Sequence, residues 1–160
     1  MMSGTPLFTK DICTLSSRGL RLVDIAPDGD CLFNAVAHQM ASQSCGSDMR
    51  KRAAAFIRAH KDDFLPFLSK EDGEMLDEFE FEEYCIKIEK PASTGGVWGG
   101  EPELRALSES LERKIEVVQP DTRVLVFGDR FSGRPLILTY HRHAYSLGEH
   151  YNSTATVTAA

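Results

Sequence analysis

Two hydrophobic periods divide this chain, a helical one in its first two thirds and a strand-like one after that. Leu32, Phe33, Val36, Ala37 and Met40 recur at three- and four-residue spacing, which puts them on one helical stripe facing a core. A short apolar run, Leu20, Leu22 and Ile25, precedes this helix and is stopped by Pro27. A second helix is predicted to start near Ser47 as N-cap, with Met49, Ala53, Phe56, Ile57 and His60 spaced for one buried face. A third opens at Pro102, a residue suited to a first helical turn, and carries Leu104, Leu107 and Leu111 inward.

Between Lys61 and Lys90 the chain is dense in Asp and Glu, with Phe64, Phe67, Met75, Leu76, Phe79, Phe81 and Tyr84 interleaved, and it reads as short surface helices. Pro91 to Gly100, rich in Gly, Ser and Thr, is a loop that holds Trp98 among small residues. The period then shortens. Ile115 to Gln119, Val124 to Phe127 and Leu136 to Tyr140 are apolar or β-branched runs separated by Pro120-Asp121, Gly128-Asp129 and Ser132-Gly133 turns. Ala144 to Leu147 and then His150-Tyr151 supply one more short strand, and the Ser/Thr/Ala tail after Asn152 is expected to fray. The pattern sketches an α/β (α+β) arrangement without internal repeats.

At 160 residues the chain suits a single domain able to bury a core without staples, and its net charge of −6 is moderately acidic. No basic run exceeds Arg50-Lys51-Arg52, which reads as a solvated helix face, so nucleic acid is not the expected partner. No apolar stretch approaches the ~20 residues of a membrane span and no signal peptide is evident, which makes the cytoplasm, or the nucleus, the expected location. The four cysteines, Cys13, Cys31, Cys45 and Cys85, show no CxxC spacing, so reduced thiols are expected and a structural zinc is not.

Candidate chemistry centres on Asp28-Gly29-Asp30-Cys31, which runs directly into the first helix. A sulfur at a helix N-terminus sits beside unpaired N–H groups and the positive end of the macrodipole, and both favour a thiolate. Far downstream, His150 is followed two residues later by Asn152. On a strand these two side chains share a face, so Asn152 can orient the imidazole while His150 takes the proton of Cys31. Backbone N–H groups of the Asp28 to Cys31 turn are the expected oxyanion donors, with Gly29 allowing close approach. Asp28 and Asp30 oppose this scheme, because carboxylates beside a sulfur raise its pKa. A lone cysteine on an amphipathic helix is more often a small core residue, and that reading is kept for Cys13, Cys45 and Cys85. His141 and His143 alternate as metal ligands on a strand do, but no third ligand stands at sensible spacing, so no metal is expected, and a place at the cleft edge or capping the sheet is. His38 and His60 are read as structural.

Asp28-Gly29-Asp30-Cys31-Leu32-Phe33 and Gly148-Glu149-His150-Tyr151-Asn152-Ser153 resemble the two signatures of the ovarian-tumour (OTU) cysteine deubiquitinases. Trp98-Gly99-Gly100, Glu103-Leu104-Arg105-Ala106-Leu107 and Pro135-Leu136-Ile137-Leu138 fall in the family's order between them, most like the subgroup in which a coiled coil precedes the OTU domain. The coiled coil itself is absent, which implies either an excised catalytic domain or a departure from that subgroup. The resemblance covers roughly residues 7–153 of a single domain, 1–160. It implies a papain-like fold of OTU type, a small mostly antiparallel sheet flanked by helices, acting as a monomer without cofactor or metal.

It also implies that Asp28 belongs to the active site, turned toward backbone N–H groups or a neighbouring side chain so as to fix the loop. The implied reaction is isopeptide cleavage after the ubiquitin C-terminal Gly-Gly through a Cys31 thioester, with a channel past Gly95, Gly96 and Trp98 for the tail, Trp98 being either a wall of that channel or a core anchor. The acidic Lys61 to Lys90 stretch is the natural docking arm for ubiquitin. A protease for another ubiquitin-like modifier and a catalytically silent ubiquitin-binding module are the alternatives. An accessible, low-pKa Cys31 would also oxidise reversibly under peroxide.

Overall fold

The computed structural model describes residues 15–40, 44–119, 123–145 and 148–157, the side chains of 142–149 excepted. Five strands, β1 (Leu20–Val23), β2 (Ile115–Val118), β3 (Val124–Phe127), β4 (Leu136–Tyr145) and β5 (Gly148–Thr156), form one sheet in the order β1-β5-β4-β2-β3. The β2–β4 pair is parallel and the other three are antiparallel. Helices α1 (Cys31–Gln39), α2 (Gly46–Ala59), α3 (Lys61–Phe64), α4 (Glu78–Glu89) and α5 (Glu101–Leu111) flank it, with short 3-10 turns at Leu65–Phe67 and Ala92–Thr94. This is the papain-like arrangement that the resemblance implied.

Helix α2 is the hub of the helical layer. Ala53 and Ala54 are fully buried, and their small side chains let α2 pack against α1, α4 and α5 together. The core between this layer and the sheet joins Phe33 and Val36 of α1 with Ile57, Ile88, Leu104, Leu107, Ile115 and Leu138. Each large aliphatic or aromatic side chain so buried contributes about 1.5–3 kcal/mol relative to exposure.

Several boundaries differ from the sequence expectation, each for a local reason. Helix α2 begins at Gly46 with Cys45, not Ser47, as N-cap, because the Asp48 carboxylate reaches back to the Cys45 N–H at 3.2 Å. The acidic segment is more than surface. Asp77 and Glu80 cap α4 reciprocally, at 2.8 and 2.9 Å, and the helix then turns Phe81, Cys85 and Ile88 into the core. Strand β4 continues beyond Tyr140 to Tyr145 with an irregularity after His141. The tail expected to fray is paired: Ser153 to Thr156 run antiparallel to β1, in register with Val23 to Leu20. Of its polar side chains, those of Ser153 and Thr154 are buried, and they are tolerated inside because they find partners. Ser153 Oγ meets His38 Nδ1 at 2.8 Å and Gln39 Nε2 at 2.9 Å, and Thr154 Oγ1 donates to the Ile137 carbonyl at 2.6 Å. Gln39 also exchanges two bonds with the Ile137 backbone, 2.6 and 3.0 Å long, and so pins the far end of α1 to β4.

Candidate active site

The sheet and α1 meet where the sequence placed its chemistry. Cys31, the first residue of α1, lies against β5, and the Tyr151 N–H donates to its Sγ at 3.4 Å. His150 and Asn152 flank Tyr151 on β5, both on the opposite side of the strand from the Tyr151 side chain, as the two-residue period requires. His150 Nε2 and Asn152 Oδ1 are 2.7 Å apart. The Ile25 backbone N–H donates to the same Oδ1 at 2.8 Å, and since an N–H only donates, that contact fixes which end of the amide faces the ring. The proton of the imidazole therefore sits on Nε2, and Nδ1 carries the lone pair that a general base needs.

The nucleophile turn is closed on itself. Asp28 Oδ1 accepts the Asp30 N–H at 2.9 Å, and the Asp28 carbonyl accepts the Cys31 N–H at 3.2 Å. Asp28 thus fixes the loop through a backbone N–H. The expected oxyanion hole is narrowed, because the Asp28 N–H also donates to the Ala26 carbonyl at 2.9 Å and three of the turn's N–H groups are thus engaged, leaving the Gly29 N–H without a bond among the described residues. Gly29 itself is sterically required. A Cβ there would fall 2.6 Å from Trp98 Nε1 and 2.5 Å from Ala92 Cβ. Trp98, 43% exposed, hence lies across the turn as a surface wall rather than as a core anchor. Gly95 adopts φ 93°, which favours glycine, and the Cβ direction of Gly96 is filled by the Lys90 carbonyl. Both glycines therefore serve the turn of this loop, a reason for their presence that is independent of any ligand.

Electrostatics correct one expectation. Cys31 is only 3% exposed, and burial pushes its thiol above the ordinary range, with the Asp28 carboxylate adding to the rise. The N–H groups of Tyr151, Leu32 and Cys31 pull the other way without reversing it. The accessible, low-pKa thiolate inferred from a helix N-terminus is therefore not the state of this structure, because desolvation outweighs the dipole. Burial also lowers His150, and neighbouring His141 lowers it further, while the Asn152 bond, Asp24 and Asp28 raise it. Thiol and imidazole are both driven toward their neutral forms.

Two residues were misread from the sequence. His141 is fully buried as the cross-strand partner of His150, on the same face, and not at a cleft edge. Arg50, assigned to a solvated face, is 2% exposed and donates to Asp30 Oδ1 from Nε and Nη2, whereas Lys51 and Arg52 do stand in solvent. Its position on the helical net, next to Met49 and Ala53, was the available signal. The Asp30 charge is met in this way, and Asp28 is the carboxylate that acts on Cys31.

Cys85 is buried and pushed up to about 11, chiefly by desolvation, and Cys45 is exposed; Cys13 and the His143 side chain lie outside the described residues. Among the described residues no three of His, Cys, Asp or Glu converge as a metal ion would require.

Residues 26–151 match the family model described as OTU-like cysteine protease, a span that holds both Cys31 and His150. This chain belongs to the OTU family. It is 41% identical over 143 residues to the human protein named Deubiquitinase OTUD6B, covering 87% of this chain and 47% of that one. It is 32% identical over 151 residues to OTU domain-containing protein 2 of Saccharomyces cerevisiae, 89% and 47% of the two chains. The chain spans about half the length of these relatives. The OTU domain of OTUD1 superposes with a TM-score of 0.71 at 24% identity, over 94% of this chain and 95% of that one. An OTU domain solved in complex with ubiquitin does so with 0.65 at 22%, over 85% and 69%.

Proposed function

We propose that this OTU domain is a cysteine deubiquitinase. The observation that carries the reading is the Tyr151 N–H contact with Cys31 Sγ, since it sets the thiol against the strand whose next two inward-facing side chains are His150 and Asn152. In the proposed reaction, His150 Nδ1 takes the thiol proton as Sγ attacks the carbonyl carbon of the terminal glycine of ubiquitin. The C–N bond to the lysine amine breaks, and the amine leaves with that proton. Water then adds to the thioester carbon while His150 takes its proton, the C–S bond breaks, and the proton returns to Cys31. Because thiol and imidazole are both neutral at rest, proton transfer accompanies attack, and no standing ion pair is needed.

For the substrate, the half-exposed Trp98 beside Gly29 supports a tail channel next to the turn. Phe67, Met75 and Phe79 are 64%, 57% and 72% exposed in a stretch with eleven Asp and Glu against four Lys, which supports docking of a basic, partly apolar partner such as ubiquitin. The remainder of the reading is that the enzyme works as a monomer on protein substrates rather than on nucleic acid or membranes. It needs no cofactor, resides in the cytoplasm or nucleus, and comes from the subgroup with a preceding coiled coil, to which the motif order lends support.

The test is intact-protein mass after incubation with ubiquitin carrying a C-terminal electrophile. One adduct, lost in Cys31→Ala and slowed in His150→Ala, is expected. Adducts only with other ubiquitin-like modifiers would reassign the substrate, and tight ubiquitin binding without any adduct would make the domain a silent binding module.

A further inference from the structure

Arg50, near the start of α2, leads the fully buried side chains of the described residues by volume, and it spends its guanidinium on the loops around Cys31. Nε and Nη2 donate to Asp30 Oδ1 at 2.9 and 2.6 Å. Nη2 also reaches the Gly29 carbonyl at 3.2 Å and the Val97 carbonyl at 2.9 Å, and Nη1 donates to the Ile88 carbonyl at 2.9 Å. The guanidinium carbon lies over the Phe33 ring, 4.3 Å from its centre. Asp30 Oδ1 accepts the Ala92 N–H as well, at 3.0 Å. Three segments distant in sequence, the nucleophile turn, the end of α4 and the Trp98 loop, thereby meet on one side chain. A planar fork of five donors can hold such a junction; a lysine ammonium, with three donors on a point charge, cannot hold it in the same geometry.

We propose that Arg50 is a positioning residue of the catalytic site: it sets the gap between the Cys31 turn and the Trp98 loop and cancels the Asp30 carboxylate next to the nucleophile. The proposal rests on the reading of Cys31 as nucleophile and gives that site a part the motifs do not contain. The other charged or titratable groups near Cys31 are Asp28 in the turn, His150 on β5, His141 beside it on β4, and Asp24; Glu103 of α5 faces Arg50 from the other side. Of the two carboxylates in the turn, Asp28 raises the Cys31 thiol, whereas Asp30 is held in an ion pair with the Arg50 guanidinium.

The test follows alkylation of Cys31 by iodoacetamide against pH, read at the Cys31 peptide by mass, together with turnover of a ubiquitin C-terminal amide. Arg50→Gln is expected to raise the alkylation midpoint by about one pH unit, because it leaves Asp30 uncompensated. The pair Asp30→Asn/Arg50→Gln should return it to the wild-type value. Asp30→Asn alone, which keeps the arginine, should lower it. Arg50→Lys should leave the midpoint in place yet lose ~10-fold or more in kcat/KM on the ubiquitin substrate, since the charge survives and the fork does not. Midpoints that coincide in all variants, or a rise in Asp30→Asn, would overturn the proposal. A purely structural role would lower activity without that pattern of signs. If Arg50→Gln does not fold, Asp30→Asn decides alone. A wild type inert toward ubiquitin would sink the deubiquitinase reading, while the midpoints would still decide the role of Arg50.

Discussion

Asn152 holds His150 through a single oxygen, which takes the Nε2 proton at 2.7 Å and the Ile25 N–H at 2.8 Å. The base is thus anchored to the backbone that leads from β1 into the nucleophile turn, and its tautomer follows from that anchor. Asn152→Ala is expected to cut kcat by about 100-fold, with ubiquitin binding little changed, because the ring loses its orientation and not its contact with substrate. Asn152→Asp keeps the acceptor and adds a negative charge that favours the imidazolium, so the acid limb of its kcat–pH profile should move to higher pH. Steady-state kinetics on a fluorogenic ubiquitin substrate would check both, and an unmoved acid limb in Asn152→Asp would count against the assignment.

The neutral pair of Cys31 and His150 has a distinct pH signature. With the thiol raised and the imidazole lowered, the thiolate fraction of the unliganded enzyme should climb about tenfold per pH unit through neutrality. Alkylation should show no plateau in the acid range, where an ion pair would give one. In the same way His150 should stay unprotonated below pH 6.5, so turnover of substrate should persist to more acidic pH than an ordinary histidine would allow. Peroxide sensitivity should be low for the free enzyme, since a buried thiol is a poor target. Stopped-flow alkylation between pH 4 and 10 would decide, and a flat rate between pH 4 and 6 would contradict the neutral pair.

Trp98 is the lone tryptophan, so its emission reports the wall of the cleft without interference. Occupation of the channel by a Gly-Gly tail should cover a ring that is now 43% exposed and shift its emission to the blue. Gly29→Ala should displace the ring, because its new methyl group would stand where Trp98 and Ala92 now pack. The expected result is an altered unliganded spectrum and a kcat/KM lower by ~10- to 100-fold. Unchanged emission in Gly29→Ala would argue that the loop yields freely.

Glu103 carries a stability prediction. Its carboxyl, 3% exposed, accepts the Gly100 N–H at 2.8 Å and the Tyr84 hydroxyl, and burial raises its pKa despite those bonds. A folded pKa above the unfolded one means that the group's contribution is fully present below the unfolded value and is lost as pH rises through the folded value. Glu103→Gln keeps the acceptor for Gly100 and removes the buried charge, so its denaturation midpoint relative to wild type should improve from pH 4 to pH 8. Parallel urea unfolding at the two pH values is the measurement, and a difference that shrinks with pH would refute the sign.

Much of this architecture is local and can be read along the chain. The stripe of Leu32, Phe33 and Val36 makes α1 and sets Cys31 at its mouth, and the alternation of a strand puts His150 and Asn152 on one side whatever surrounds them. The Pro91 to Gly100 loop and the three strands from Ile115 onward follow from turn residues and apolar runs in the same manner. Errors arose where a residue's neighbour along the chain is not its partner in space. Ser153 to Thr156 look like a frayed tail until β1, over a hundred residues earlier, pairs with them.

By itself, the sequence determined which side chains are candidates for the proposed chemistry and on which elements they ride, because helical and strand periods are properties of consecutive residues. Only the tertiary structure decided their state. Burial against β5 turns an expected thiolate into a thiol, register makes His141 the neighbour of His150, and Arg50 becomes a buried tie between loops. Desolvation and charge pairing depend on what surrounds a group in three dimensions, and no local pattern encodes them.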